Sequence, residues 1–202
     1  MTRRTALAAL MLGLIAREAV PQQQEGRILF VGSSIFRRWT NLTKQMDPLP
    51  VVNRGVDGFQ TFDVLALVDR VVLPAKPRVV VYYAGSNDID LGEPAEAIVE
   101  RIRRFVDRVA TALPSTRIVF VSVNRAPENQ ELWDVVDSVN RRVAAYAAET
   151  KRLEYVDVNP ALFNPDGSSR LELFMPDGRH LRAAGYVEFT RILKPILTRA
   201  FQ

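Results

Sequence analysis

The chain predicts an α/β fold built on a parallel sheet. Two observations carry this reading. Short apolar runs without helical spacing alternate with longer segments whose apolar residues recur at helical spacing. The strongest runs, at 78–84 (Arg-Val-Val-Val-Tyr-Tyr-Ala) and 117–123 (Arg-Ile-Val-Phe-Val-Ser-Val), are apolar almost throughout. Such strands are expected where helices cover both faces of a sheet, and strand–helix alternation implies right-handed crossovers between parallel strands.

Taken in order, strands are expected at 28–31, 51–53, 78–84, 117–123 and 154–158, and helices at 34–46, 61–72, 94–113, 129–150 and 185–200. The first strand, Ile28 to Val31, is broken by Gly32, and Ser33 and Ser34 follow where a strand hands over to a helix. Serine there is a preferred helix cap, and it is also where a nucleophile would stand in an open α/β sheet. The helix at 94–113 is the clearest. Ile98, Ile102, Phe105, Val106, Val109 and Leu113 form its apolar stripe, Arg101, Arg104, Asp107 and Arg108 face away, and Pro114 ends it.

Composition narrows the function. The 202 residues suffice for one domain with a sizeable core, with 48% hydrophobic and 25% charged residues. There is no cysteine, which excludes disulfides, thiolate nucleophiles and zinc–thiolate sites. A single histidine, His180, excludes a metal site that needs two imidazoles from one chain. The formal charge is +4, of which residues 1–20 contribute +2 and the remainder, with 24 basic and 22 acidic residues, the other +2. That balance argues against a nucleic-acid partner.

Residues 1–20 open with Met-Thr-Arg-Arg and continue with an almost wholly apolar Thr5 to Ala16, the layout of an export signal. Its apolar part, about 12 residues, is short for a stable membrane span. Arg17 spoils an Ala-x-Ala match ending at Ala19, and the Arg-Arg pair permits a twin-arginine reading. The expectation is an exported protein, periplasmic or extracellular, with an N-terminal helix packed on the domain as the alternative. Residues 21–26 read as a polar linker and 27–202 as the domain.

Four loops after strands carry candidate chemistry. The first is Gly32-Ser33-Ser34. The second, Asn53-Arg-Gly55-Val-Asp-Gly58, reads as a turn or as a place where backbone approaches a ligand. The third is Gly85-Ser86-Asn87-Asp88, in which Asn87 offers a side-chain amide at the same sheet edge. The fourth is Met175-Pro-Asp177-Gly-Arg-His180. Three residues of separation let the Asp177 carboxylate meet the imidazole, fixing its tautomer and leaving Nε2 free to accept a proton. Serine attack on an acyl carbon needs a base, an orienter for that base, and N–H donors for the oxyanion. The chain offers Ser34, His180 and Asp177, with the Ser34 N–H, the Gly58 N–H and the Asn87 amide as donors. The Gly-x-Ser-x-Gly elbow of α/β-hydrolases is absent because Phe36 holds its last position, and no Gly-x-Gly-x-x-Gly or Walker pattern follows the first strand.

In this order the four loops resemble the sequence blocks of the SGNH (GDSL-type) hydrolases over roughly residues 27–200. The tail from Leu181 to Tyr186 is similar to that of bacterial exported members. The resemblance implies a flavodoxin-like three-layer α/β/α sandwich with a five-stranded parallel sheet. It also implies Ser34 as nucleophile, His180 as base, Asp177 as orienter, and Ser34, Gly58 and Asn87 as the oxyanion hole. No metal or organic cofactor is expected. Ser33 stands where the family commonly has aspartate, a Gly-Ser-Ser variant of the nucleophile block. The leading expectation is a serine esterase acting on a small-molecule, lipid or carbohydrate ester. A carbohydrate O-deacetylase and a non-catalytic binding module of the same fold are the alternatives. Phe36, Trp39, Phe59 and Phe62 fall near the loop edge and could serve core packing, an acyl groove or a sugar platform. A histidine base predicts a rate that declines on acidification through about pH 6–7.

Overall fold

A computed structural model describes residues 26–202; the expected export segment 1–20 lies outside the described residues. Five strands, β1 (Ile28–Gly32), β2 (Val51–Gly55), β3 (Val79–Tyr83), β4 (Arg117–Val121) and β5 (Leu153–Val156), form one sheet in the order β2-β1-β3-β4-β5. Every pair is parallel. This order is the flavodoxin-like one, and its reversal point lies beside β1, where ligands of such sheets bind at the carboxyl ends of strands.

The helices are α1 (Ser34–Arg37), α2 (Leu42–Met46), α3 (Thr61–Leu67), α4 (Leu73–Ala75), α5 (Ser86–Asp90), α6 (Ala95–Ala112), α7 (Trp133–Glu149) and α8 (Ala183–Phe201). A π turn at Val68–Val72 joins α3 to α4. The alternation within each strand sorts two cores. Ile28 and Phe30 of β1, with Val79 and Val81 of β3, pack under α1, α2 and α8. Leu29 and Val31, with Val80 and Tyr82, pack under α3, α6 and α7. All five residues of β1 are buried, as are all five of β3. Among the described residues no helix is long and apolar enough to cross a membrane.

All five strands fall where the sequence places them, and three helices differ. The segment 34–46 is two helices, because the chain turns at Arg38–Asn41 to drive Trp39 into the core at 1% exposure. There Trp39 stacks on Tyr186 at 5.1 Å. The segment 129–150 begins instead as a 3₁₀ turn, Pro127–Leu132, before α7. Helix α5 stands where the sequence suggests only a turn. Phe36 and Trp39 are core residues, Phe59 is half-buried against the α3–α6 side, and Phe62 is 63% exposed.

Candidate active site

The site is built by loops leaving the carboxyl ends of β1, β2 and β3, and by a hairpin preceding α8. Gly32 ends β1 with φ +150°, and a Cβ there would lie 1.9 Å from the Tyr83 carbonyl oxygen. Glycine is therefore required for β1 to run so close to β3 at this point. The next N–H, that of Ser33, donates to the same carbonyl at 3.0 Å. Ser34 is then the first residue of α1, where a helix leaves the backbone N–H unused by its own ladder. Ser34 as a whole is only 6% exposed. The floor beneath is aromatic: Phe36 packs edge-on to Phe30 at 5.0 Å, and the Tyr186 hydroxyl donates to the Ile35 carbonyl at 2.8 Å, tying α8 to α1.

The hairpin from Phe174 to Leu181 brings the histidine to this floor. An antiparallel bridge joins Phe174 to Leu181, and the Met175 N–H donates to the His180 carbonyl at 2.7 Å. Inside the hairpin, one Asp177 oxygen accepts from the N–H groups of Arg179 and His180 at 3.0 and 2.9 Å. The other lies 2.7 Å from His180 Nδ1, and His180 Nε2 lies 2.9 Å from Ser34 Oγ. Burial works to raise the Asp177 carboxyl. The hydrogen bonds from the imidazole and the two N–H groups outweigh it and hold the carboxyl well below the usual carboxylate range. An ionised carboxylate only accepts, so Nδ1 carries a ring proton, and in the ring's base form Nε2 faces the serine hydroxyl as an acceptor.

The two remaining loops meet beside this line of groups. The Val56 N–H donates to the Gly32 carbonyl at 2.9 Å, which seats the β2 loop against the end of β1. Gly58 follows with φ +78°, a left-handed conformation that favours glycine. Asn87 donates its side-chain amide to the Phe59 carbonyl at 2.8 Å, so the asparagine loop holds the glycine loop. One N–H of that amide remains to point elsewhere. The structure thus joins Ser34, His180 and Asp177 by direct contact, and links Asn87 to the loop that carries Gly58. Among the described residues no group of three His, Asp or Glu side chains could hold a metal ion.

The sequence model of the GDSL-like Lipase/Acylhydrolase family matches residues 30–187. The chain belongs to this family. It is by that membership an ester-hydrolysing enzyme. No curated protein matches this hydrolase in sequence. Solved structures share its fold. A GDSL-like lipase from Bacteroides thetaiotaomicron superposes with TM-score 0.78 at 21% identity, covering 91% of this chain and 94% of that one. A member of the lipolytic G-D-S-L family from Veillonella parvula gives 0.72 at 20% identity, covering 86% and 98%. A carbohydrate esterase family 3 structure from Talaromyces cellulolyticus gives 0.68 at 16% identity, covering 87% and 98%.

In this GDSL-type hydrolase Ser33, in place of the common aspartate, is fully buried and its hydroxyl has no hydrogen-bond partner. Two further residues lie near Ser34 that the sequence does not single out, Asn124 after β4 and Asn129 in the turn before α7. They line an enclosed pocket with Ser34, Tyr83 and Ser86. Each reads in the sequence as an ordinary polar loop residue, and only burial distinguishes it.

Proposed function

We propose that this GDSL-type hydrolase cleaves carboxylic esters with Ser34 as nucleophile, His180 as general base and acid, and Asp177 as orienter. The observation that carries the reading is the continuous line Ser34 Oγ–His180 Nε2–His180 Nδ1–Asp177, at 2.9 and 2.7 Å. Ser34 Oγ attacks the ester carbonyl as Nε2 takes its proton, and the C–O bond to the alcohol breaks as the imidazolium returns that proton to the leaving oxygen. Water then adds to the acyl-enzyme with His180 again as base, which frees the acid and restores the serine. The Ser34 N–H, the Gly58 N–H and the free N–H of Asn87 receive the oxyanion.

The enclosed pocket beside Ser34 has room of only about 10 Å³, which favours short acyl groups. That supports carbohydrate O-deacetylation as a second reading of the same machinery, and the fold shared with the Talaromyces cellulolyticus carbohydrate esterase agrees with it. The deciding experiment measures hydrolysis of p-nitrophenyl acetate by the wild type and by Ser34→Ala. Loss of turnover in the variant, with labelling of the wild type by a fluorophosphonate probe, is the expected result; wild-type turnover in the variant removes Ser34 from the mechanism. A panel of acetylated sugars and p-nitrophenyl esters of rising chain length separates the two substrate readings.

A further inference from the structure

We infer that the enclosed pocket beside Ser34 is an acyl-side subsite for the hydroxyl of a short hydroxyacyl ester such as glycolyl, with the Asn124 amide as its main partner. The inference rests on Ser34 being the nucleophile. Asn124 is 4% exposed, yet neither its Nδ2 nor its Oδ1 has a hydrogen-bond partner. Its neighbours are fully engaged: Asn140 exchanges two 2.9 Å bonds with the backbone of Val123, and Asn159 donates to the Ser122 hydroxyl and the Val123 carbonyl. Across the same pocket Asn129 gives its amide to Asp90 and keeps an unpartnered Oδ1. Buried polar atoms are rarely left unpaired, because each such loss is costly. Three such atoms, on two side chains that line one small space, point to an occupant.

Size, polarity and position define that occupant. The room of about 10 Å³ suits one water-sized group. A primary amide presents both donors and an acceptor, and a hydroxyl answers both, accepting from Nδ2 and donating to an Oδ1. A methyl of equal size would leave all three atoms unpaired. An anionic tip is disfavoured, because Arg179 on the pocket wall is already held by Asp90 and Glu128. The leaving alcohol must receive its proton from His180, so it departs on the imidazole's side. Ser34 lines the pocket and His180 does not, although Arg179 beside it does, and the acyl side is the assignment that leaves the imidazole free for the leaving oxygen.

Glycolyl and propionyl esters are close in shape and differ by a hydroxyl in place of a methyl, so they provide the test. The kcat/KM values for ethyl glycolate, ethyl propionate and ethyl acetate are measured with the wild type, each divided by its hydroxide-catalysed rate. A preference for glycolate over propionate of about tenfold or more is expected, the worth of a buried hydrogen bond gained in place of one left unmade. In Asn124→Leu that ratio falls to about one. A wild-type ratio at or below one overturns the subsite while leaving the esterase reading intact, provided acetate is hydrolysed. A ratio unchanged in Asn124→Leu overturns the assigned partner. Failure on all three esters removes the esterase reading and the subsite with it. If Asn124→Leu does not fold, Asn129→Leu is used in its place, and the wild-type ratio alone remains decisive.

Discussion

The backbone N–H of Thr61 lies 3.1 and 2.9 Å from the two carboxylate oxygens of Asp88, and the Thr61 hydroxyl donates to the same group. Both residues are fully buried, and Arg101 approaches the carboxylate at 3.3 Å. Thr61 opens α3, so this contact fixes the end of the loop that carries Gly58, two residues on from where Asn87 fixes Phe59. Replacing Asp88 with Ala leaves two buried donors unpaired at roughly 1–3 kcal/mol each. The expected outcome is a loss of about 2–6 kcal/mol in urea unfolding, together with a lower kcat in the protein that remains folded.

Asn87→Ala removes one donor from the proposed oxyanion hole and also frees the Phe59 carbonyl. Turnover of p-nitrophenyl acetate is expected to fall roughly 10²–10³-fold, the usual consequence of losing one such donor. KM changes little if the donor acts on the tetrahedral species rather than on the bound ester, and steady-state kinetics at saturating substrate separate the two.

Asp177→Asn keeps the shape of the hairpin but removes the charge that orients the imidazole, and roughly a 10³–10⁴-fold loss of kcat is expected. Stability offers a second readout. The folded-state carboxyl titrates below the value of about 3.9 for an unfolded aspartate. Its interactions therefore add stability above that pH and lose it as pH falls through the folded-state value. The wild-type advantage over Asp177→Asn in urea midpoint should be present at pH 6 and shrink progressively as pH falls below about 4. It should also be modest, because the carboxyl is nearly half exposed.

Gly32→Ala places a methyl against the Tyr83 carbonyl in a backbone region that disfavours side chains. Separation of β1 from β3 at the site is the only relief. A loss of about 2–4 kcal/mol is expected, which lowers the melting temperature by roughly 5–15 °C in a domain of this size.

The sheet was legible because buried parallel strands write themselves as unbroken apolar runs: Val79 to Tyr83 and Arg117 to Val121 lie inside the expected ranges. The pairing of Asp177 with His180 was legible because three residues of spacing suit a tight turn. Trp39 shows what was not: apolar spacing made 34–46 read as one helix, while burying the indole required a break in mid-segment. Helix α5 hid inside Ser86-Asn87-Asp88, residues whose local preference is for turns. Asn124 and Asn129 hid for a different reason, since nothing in a loop sequence tells a solvated amide from one facing a closed pocket.

The hairpin that delivers His180 touches the body of the enzyme through charge as well as through packing. Arg179 grips Asp90 on α5 and Glu128 in the turn before α7, and all three side chains retain some solvent exposure. Concentrated electrolyte weakens such grips long before it troubles an apolar core, since the screening distance shrinks from about 8 Å at physiological ionic strength to about 3 Å at 1 M. Brine should therefore slacken the base while the sheet stays whole, and the enzyme would idle before it melts.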